Sequence, residues 1–319
     1  MFADVGGGRD RPGAGHATTD GATVAVPRTF TVPLPSIPRQ RTQRMWFAAL
    51  GRLLGRHAPR RGVAVVGHGT ADPVGAEETL AVARLVAGML PGTPVEAGFL
   101  EVIGPSIGDA LLRLADRGCT EVVAAPLLLF TAGHARRDVP EAVRDGAARA
   151  GLLVRQSAAL GCHPAVVALS RARRGEALAS LPPVPPEHTA FVMVGRGASD
   201  PSAPAQLAEF AAASAAEAGG EQPAFGRLLL GFVAAARPTL TEAIAAAAAA
   251  EAGQVRRAIV QPHLLFRGHV EEQVTAAVEE ARRSHPEIEW VQVGRLGADP
   301  LVARAVVDRA AAAIAAEFQ

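Results

Sequence analysis

The chain contains no tyrosine and no lysine, so all 32 of its basic residues are arginine. Alanine and glycine dominate instead, a composition that reflects GC-rich coding more than function. Only two cysteines are present, Cys119 and Cys162, and neither lies in a CxxC pair. That excludes a disulfide framework and a Cys-based zinc or redox motif, and it points to a reducing, cytoplasmic setting. Charged residues make up 20% of the chain and the net charge is +1. No overall field therefore favours nucleic acid or an anionic membrane. No apolar run is long enough to span a bilayer, and the alanine run 245–250 is too short and too weakly apolar. The N-terminus lacks the apolar region of a secretory leader. GxGxxG, the P-loop, GxSxG and HExxH are all missing, so dinucleotide, P-loop, serine-hydrolase and zinc-protease readings lack support.

What is present is a pattern that occurs twice. Residues 63–73 read VAVVGHGTADP, and 190–201 read AFVMVGRGASDP. Residues 126–134 read PLLLFTAGH, and 262–269 read PHLLFRGH. The copies share glycines, the Asp-Pro pair and the closing Gly-His. They differ at His68, which becomes Arg196, and at Glu101, whose place is taken by Ala234; His269 survives opposite His134. A duplicated fold must keep its packing residues twice but needs its reactive residues once, so the first copy is expected to be the active one.

The organisation follows from composition and period. Residues 1–40 are rich in Gly, Pro, Arg and Thr without a sustained period and read as a disordered extension. Residues 41–60 hold a basic amphipathic helix, RTQRMWFAALGRLLGRH, either a cap on the first domain or a docking helix. From residue 61 to 180, apolar strands alternate with helices: strands near 63–66, 95–100, 121–130 and 152–160, helices near 76–90, 106–117, 138–150 and from 164. The prolines of 181–188, LPPVPPEH, predict a stiff linker. Residues 189–319 repeat the order. Near-continuous apolar strands predict an α/β fold of two similar domains, each a parallel sheet with helices on both faces.

In such sheets ligands bind beyond the carboxyl ends of the strands. His68 follows the first strand, Glu101 the second, and His134 the third by a short loop. Two imidazoles and a carboxylate suit a divalent metal or proton transfer equally. Each has a plainer role open to it: a local hydrogen bond for His68, a solvated or Arg-paired carboxylate for Glu101, loop packing for His134. Gly67 and Gly69 permit a tight turn, and Thr70 or Asp72 is placed to cap the helix that follows. Arg136 and Arg137 beside His134, with Arg144 on the next helix, either grip substrate carboxylates or form a solvated face. His263 stands where the first copy has Leu127 and has no partner that the sequence reveals.

GHGTADP, the FLE of 99–101, PLLLFTAGH and the following RRDVPE, in that order, resemble the sirohydrochlorin chelatase family. The likeness is strong over 63–160 and degenerate over 190–317. It implies two lobes with an active cleft between them, and insertion of Fe²⁺ or Co²⁺ into sirohydrochlorin without ATP, on the route to siroheme or cobalamin. It further implies His68 and His134 as metal-presenting and catalytic histidines and Glu101 as the catalytic carboxylate. Arg136, Arg137, Arg196 and His269 become candidates for binding the substrate's eight carboxylates. No permanent cofactor is implied, since the metal is a substrate, and the fused copies suggest a monomeric pseudo-dimer. Two alternatives stay open: a chelatase for another tetrapyrrole or metal such as Ni²⁺, and a carrier that binds without inserting.

Overall fold

The computed structural model divides the chain into Met1–His57 and Ala58–Gln319. It describes residues 59–130, 137–198, 200, 202–216, 225–249 and 254–316. The expected extension over 1–40 and nearly all of the helix expected over 41–60 lie outside those residues.

The first half runs β1 (Arg61–Gly67), α1 (Pro73–Met89), β2 (Val95–Phe99), α2 (Ile107–Asp116), β3 (Glu121–Pro126), α3 (Asp138–Ala150), β4 (Leu153–Gln156) and α4 (Pro164–Leu178). The second repeats it as β5 (Thr189–Gly195), α5 (Ser202–Ala215), β6 (Arg227–Phe232), α6 (Leu240–Ala248), β7 (Arg257–Pro262), α7 (His269–Ser284), β8 (Glu289–Gln292) and α8 (Pro300–Ala315). The sheets have matching orders, β2-β1-β3-β4 and β6-β5-β7-β8. Every pairing is parallel.

Local signals explain the helix starts. Asp72 caps α1 by accepting from the Val74 and Gly75 amides, with Pro73 preset for the first turn. Thr70 instead accepts from the Asp72 amide at 3.1 Å. Ser106 and Asp109 form a capping box on α2, and Thr239 with Glu242 repeats it on α6. Strands β3 and β4 end earlier than their apolar runs suggest, at Pro126 and Gln156. The chain beyond them stays tied, since the Leu160 amide donates to Leu128 O and the Gly161 amide to Leu129 O. Apolar character there comes from loop packing, not from ladder pairing.

Alternation along β1 divides the packing. Val63 and Val65 enter a central core, whereas Ala64 and Val66 meet Ile107, Leu111, Val139 and Val143 from α2 and α3. On the second sheet, α6 and α7 cover Ala190, Val192 and Val194 in the same way. The central core is common to both halves. It joins β1 and β5 with α1, α4, α5 and α8.

The last helix of each half is exchanged. Helix α8 packs on β3, β4 and α1 of the first half, while α4 packs on α5 and β8 of the second. Equivalent arginines latch both. Arg173 of α4 donates to Leu296 O at 3.1 Å and pairs with Asp299 at 3.0 Å. Arg309 of α8 donates to Leu160 O at 2.9 Å. Helix α4 carries a further anchor. The buried Arg174 guanidinium donates to Ser214 and Gln261 and lies over the Phe191 and Phe225 rings. Burial lowers its pKa to about 10, so it keeps its charge at neutral pH.

The proline-rich segment is tied to the second half. Pro186–His188 forms a 3-10 turn, and the Arg257 guanidinium donates to Pro182 O at 2.7 Å.

Candidate functional site

The site begins where β1 stops. Gly69 has φ +103°, and a Cβ there would lie 1.9 Å from Glu101 O. Only glycine lets the two turns approach this closely. They are then fastened by backbone bonds. The Leu100 amide donates to Gly67 O at 3.0 Å and the Glu101 amide to His68 O at 3.1 Å. The Ile103 amide closes the second turn on Glu101 O at 2.8 Å. The result places His68 Nδ1 3.5 Å from Glu101 Oε1. This is a loose contact between two solvent-reachable side chains, 37% and 58% exposed. Both can therefore take up a ligand without breaking a short hydrogen bond.

The second copy builds the same turns without the chemistry. Gly197 has φ +88°, with a notional Cβ 1.7 Å from Ala234 O. The Val233 amide donates to Gly195 O and the Ala234 amide to Arg196 O. Arg196 is exposed at the place of His68, and Ala234 holds the place of Glu101.

Of the other candidates, His134 and Arg136 lie outside the described residues. Arg137 is exposed directly before α3. Arg144 lies 3.5 Å from Glu141 of its own helix. His269 opens α7 and is 78% exposed, with Nδ1 3.3 Å from Glu272. Among the described residues no three His, Cys, Asp or Glu side chains cluster as a metal site. The described part of the site is thus the His68–Glu101 pair.

The structure adds an ionic clamp between the halves that no motif announces. Arg295, after β8, meets Glu78 of α1 at 2.6 Å and Glu271 of α7 at 3.0 Å. These hydrogen bonds hold the Arg295 pKa above its usual value. The Arg267 amide donates to Glu78 at 2.8 Å, and its guanidinium lies 3.4 Å from Asp72, the cap of α1. A Cβ on Gly75 would lie 2.4 Å from Arg267 O, so α1 and the loop before His269 are in direct contact. The turn carrying His68 and the start of α7 are thereby held in one neighbourhood.

His263 finds the partners the sequence did not reveal. Its ring lies 3.9 Å from Phe210 and 4.9 Å from Phe130, centroid to centroid. It is buried, and its Nε2 has no hydrogen-bond partner among the described residues. Burial pushes its pKa down to about 3, so the imidazole is neutral.

The CbiX family model matches residues 62–177 and again 190–313. The chain belongs to the CbiX family. Its two matches coincide with the two sheets and their helices. A relative named sirohydrochlorin cobaltochelatase, from Priestia megaterium, is 23% identical over 251 residues, 78% of this chain and 79% of the relative. A sirohydrochlorin ferrochelatase from the same organism is 28% identical over 219 residues, 68% of this chain and 78% of the relative. The solved structure of SirB from Bacillus subtilis with Fe³⁺ superposes with a TM-score of 0.69 at 25% identity, covering 82% of this chain and 98% of that one. No helix of the described residues is long and apolar enough to cross a membrane.

Proposed function

We propose that this chain is a sirohydrochlorin chelatase that inserts Fe²⁺ or Co²⁺ without ATP, in the cytoplasm, as a self-sufficient pseudo-dimer. The reading is carried by one observation. Within a CbiX fold, the edge of the first sheet holds an exposed His68–Glu101 pair, and the equivalent edge of the second does not. The names of the relatives, with both cobalt and iron among them, support the reaction class.

The reaction exchanges one M²⁺ for two pyrrole protons. A neutral imidazole offers its lone pair either to the metal or to a proton. His68 has that lone pair free to engage because its contact with Glu101 is loose. Glu101 balances the positive charge that His68 gains and passes the proton to solvent, to which it is open. His134 is assigned the second imidazole. Arg137, Arg136, Arg196 and His269 are assigned to the ring's carboxylates, because guanidinium groups pair with carboxylates in two-point fashion. The site must hold the metal weakly, since a closed ligand set would keep it; two loosely joined groups meet that need. The metal enters and leaves as substrate, and no resident cofactor takes part.

The test is to mix purified protein with sirohydrochlorin and Co²⁺, then Fe²⁺ without oxygen, and follow the visible spectrum against an enzyme-free blank. Acceleration over the blank establishes the chelatase and ranks the metals. A spectral shift on binding without acceleration would replace this reading by a carrier or by an enzyme for another ring or metal.

A further inference from the structure

Resting on that reading, we propose that Val102 is a substrate-contact residue, an apolar platform against which the tetrapyrrole ring seats beside the His68–Glu101 pair. Val102 is the residue after Glu101, on the turn pinned to the end of β1. It has φ +71°. A β-branched residue in this left-handed region is a backbone outlier, and glycine would occupy it without strain. Val102 is also 64% exposed, more than any other large hydrophobic side chain among the described residues. In the free protein its side chain thus strains the backbone and gains little burial in exchange.

The second copy isolates what the turn itself requires. There Ala235 has φ +51° in the equivalent loop, whose Val233 and Ala234 amides are tied to Gly195 O and Arg196 O as Leu100 and Glu101 are to Gly67 O and His68 O. The left-handed turn is therefore a demand of the scaffold, and the size of the side chain on it is a separate matter. The larger apolar group stands only on the copy that keeps His68 and Glu101. A partner that covers it during function accounts for its retention. The ligand of the neighbouring pair is a flat macrocycle, apolar at its centre and ringed by carboxylates, and an exposed valine at the rim suits its face.

The proposal predicts opposite signs for stability and binding in one variant. Val102→Gly is expected to raise the melting temperature by about 2–4 °C, because the strain is released. The same variant raises KM for sirohydrochlorin by about 5- to 10-fold, the loss expected on uncovering one valine, with kcat within about twofold. Val102→Ala, which keeps a Cβ, gives an intermediate KM. Ala235→Gly gains stability with KM unchanged. The Kd for metal-free sirohydrochlorin, read from its absorption, follows KM across the series. An unchanged KM and Kd in Val102→Gly, with wild-type turnover intact, overturns the role of Val102 and leaves the chelatase reading standing. A wild-type chain that binds the ring without inserting metal overturns the chelatase reading, and the Kd series still decides on Val102. A wild-type chain that does not bind the ring overturns both.

Discussion

Beyond β1 a turn with glycine at φ +103° presents His68 against Glu101 on the turn after β2; beyond β5 a turn with glycine at φ +88° presents Arg196 against Ala234 on the turn after β6. The two backbone bonds that join the turns are the same in both places, Leu100 to Gly67 and Glu101 to His68 in the first, Val233 to Gly195 and Ala234 to Arg196 in the second. The unusual backbone is thus a condition for joining neighbouring strand ends, and it does not by itself mark catalysis. What distinguishes the edges is the side chains they display. The clamp is one-sided too. Opposite Glu78 and Arg295 the sequence has Gln206 and Ala159, so the ionic contact occurs at one of two equivalent places.

The comparison can be broken most decisively at the histidine. His68→Ala is expected to lower insertion by about 10³-fold, while Arg196→Ala raises KM several-fold with kcat nearly unchanged. Equal losses at both positions in a rate assay would end the assignment of one active edge. His134→Ala is expected to abolish insertion with the fold intact, and His269→Ala to cost less; the reverse order would move the active half. Next in size are the glycines. Gly69→Ala and Gly197→Ala should each destabilise by about 2–3 kcal/mol in denaturant unfolding, but only the first should also disturb the pair and lower kcat.

The clamp follows. Arg295→Ala leaves Glu78 and Glu271 facing each other and should cost about 1–3 kcal/mol. Calorimetry would show it as a lower melting temperature, and a wild-type transition would dismiss the clamp as a stabilising contact.

The smallest effect depends on pH. His263 is held neutral in the fold down to about pH 3, whereas in the unfolded chain it titrates near 6.5. Above pH 6.5 both states are neutral and nothing is lost. Below it the unfolded state binds the extra proton, so stability falls by about 1.4 kcal/mol per unit as pH drops from 6.5 towards 3. His263→Leu, the residue found at Leu127 in the first copy, should therefore stabilise, by about 2 kcal/mol more at pH 5 than at pH 8. A pH-independent gain would mean the ring is not kept neutral by burial.

Much of this was legible beforehand for a physical reason. Helix α3 lies at 138–150, where the sequence predicts it, because its amphipathic period and the Gly151 stop are local signals. The His68–Glu101 pairing was legible because parallel sheets gather strand ends at one edge. The helix exchange was not, since α4 and α8 present apolar faces that would cover either sheet equally well. Nor was the clamp, whose Arg295 and Glu78 are separated by 217 positions. Charges so far apart carry no periodic signal. His263 stands out in the sequence, but its ring partners come from both halves and appear only once these are packed.

The exchanged helices bear on how the halves find each other. Each half leaves part of one face of its sheet for the other's terminal helix to cover, so neither is complete alone. As separate chains they would assemble only as far as their concentration allowed. Joined through 181–188, each meets its complement at an effective concentration set by a few residues of linker. Assembly becomes independent of dilution, and a substitution on one half is never shared by the other. An edge could then lose its histidine and its carboxylate while its sheet went on serving as the counterpart for the edge that kept them.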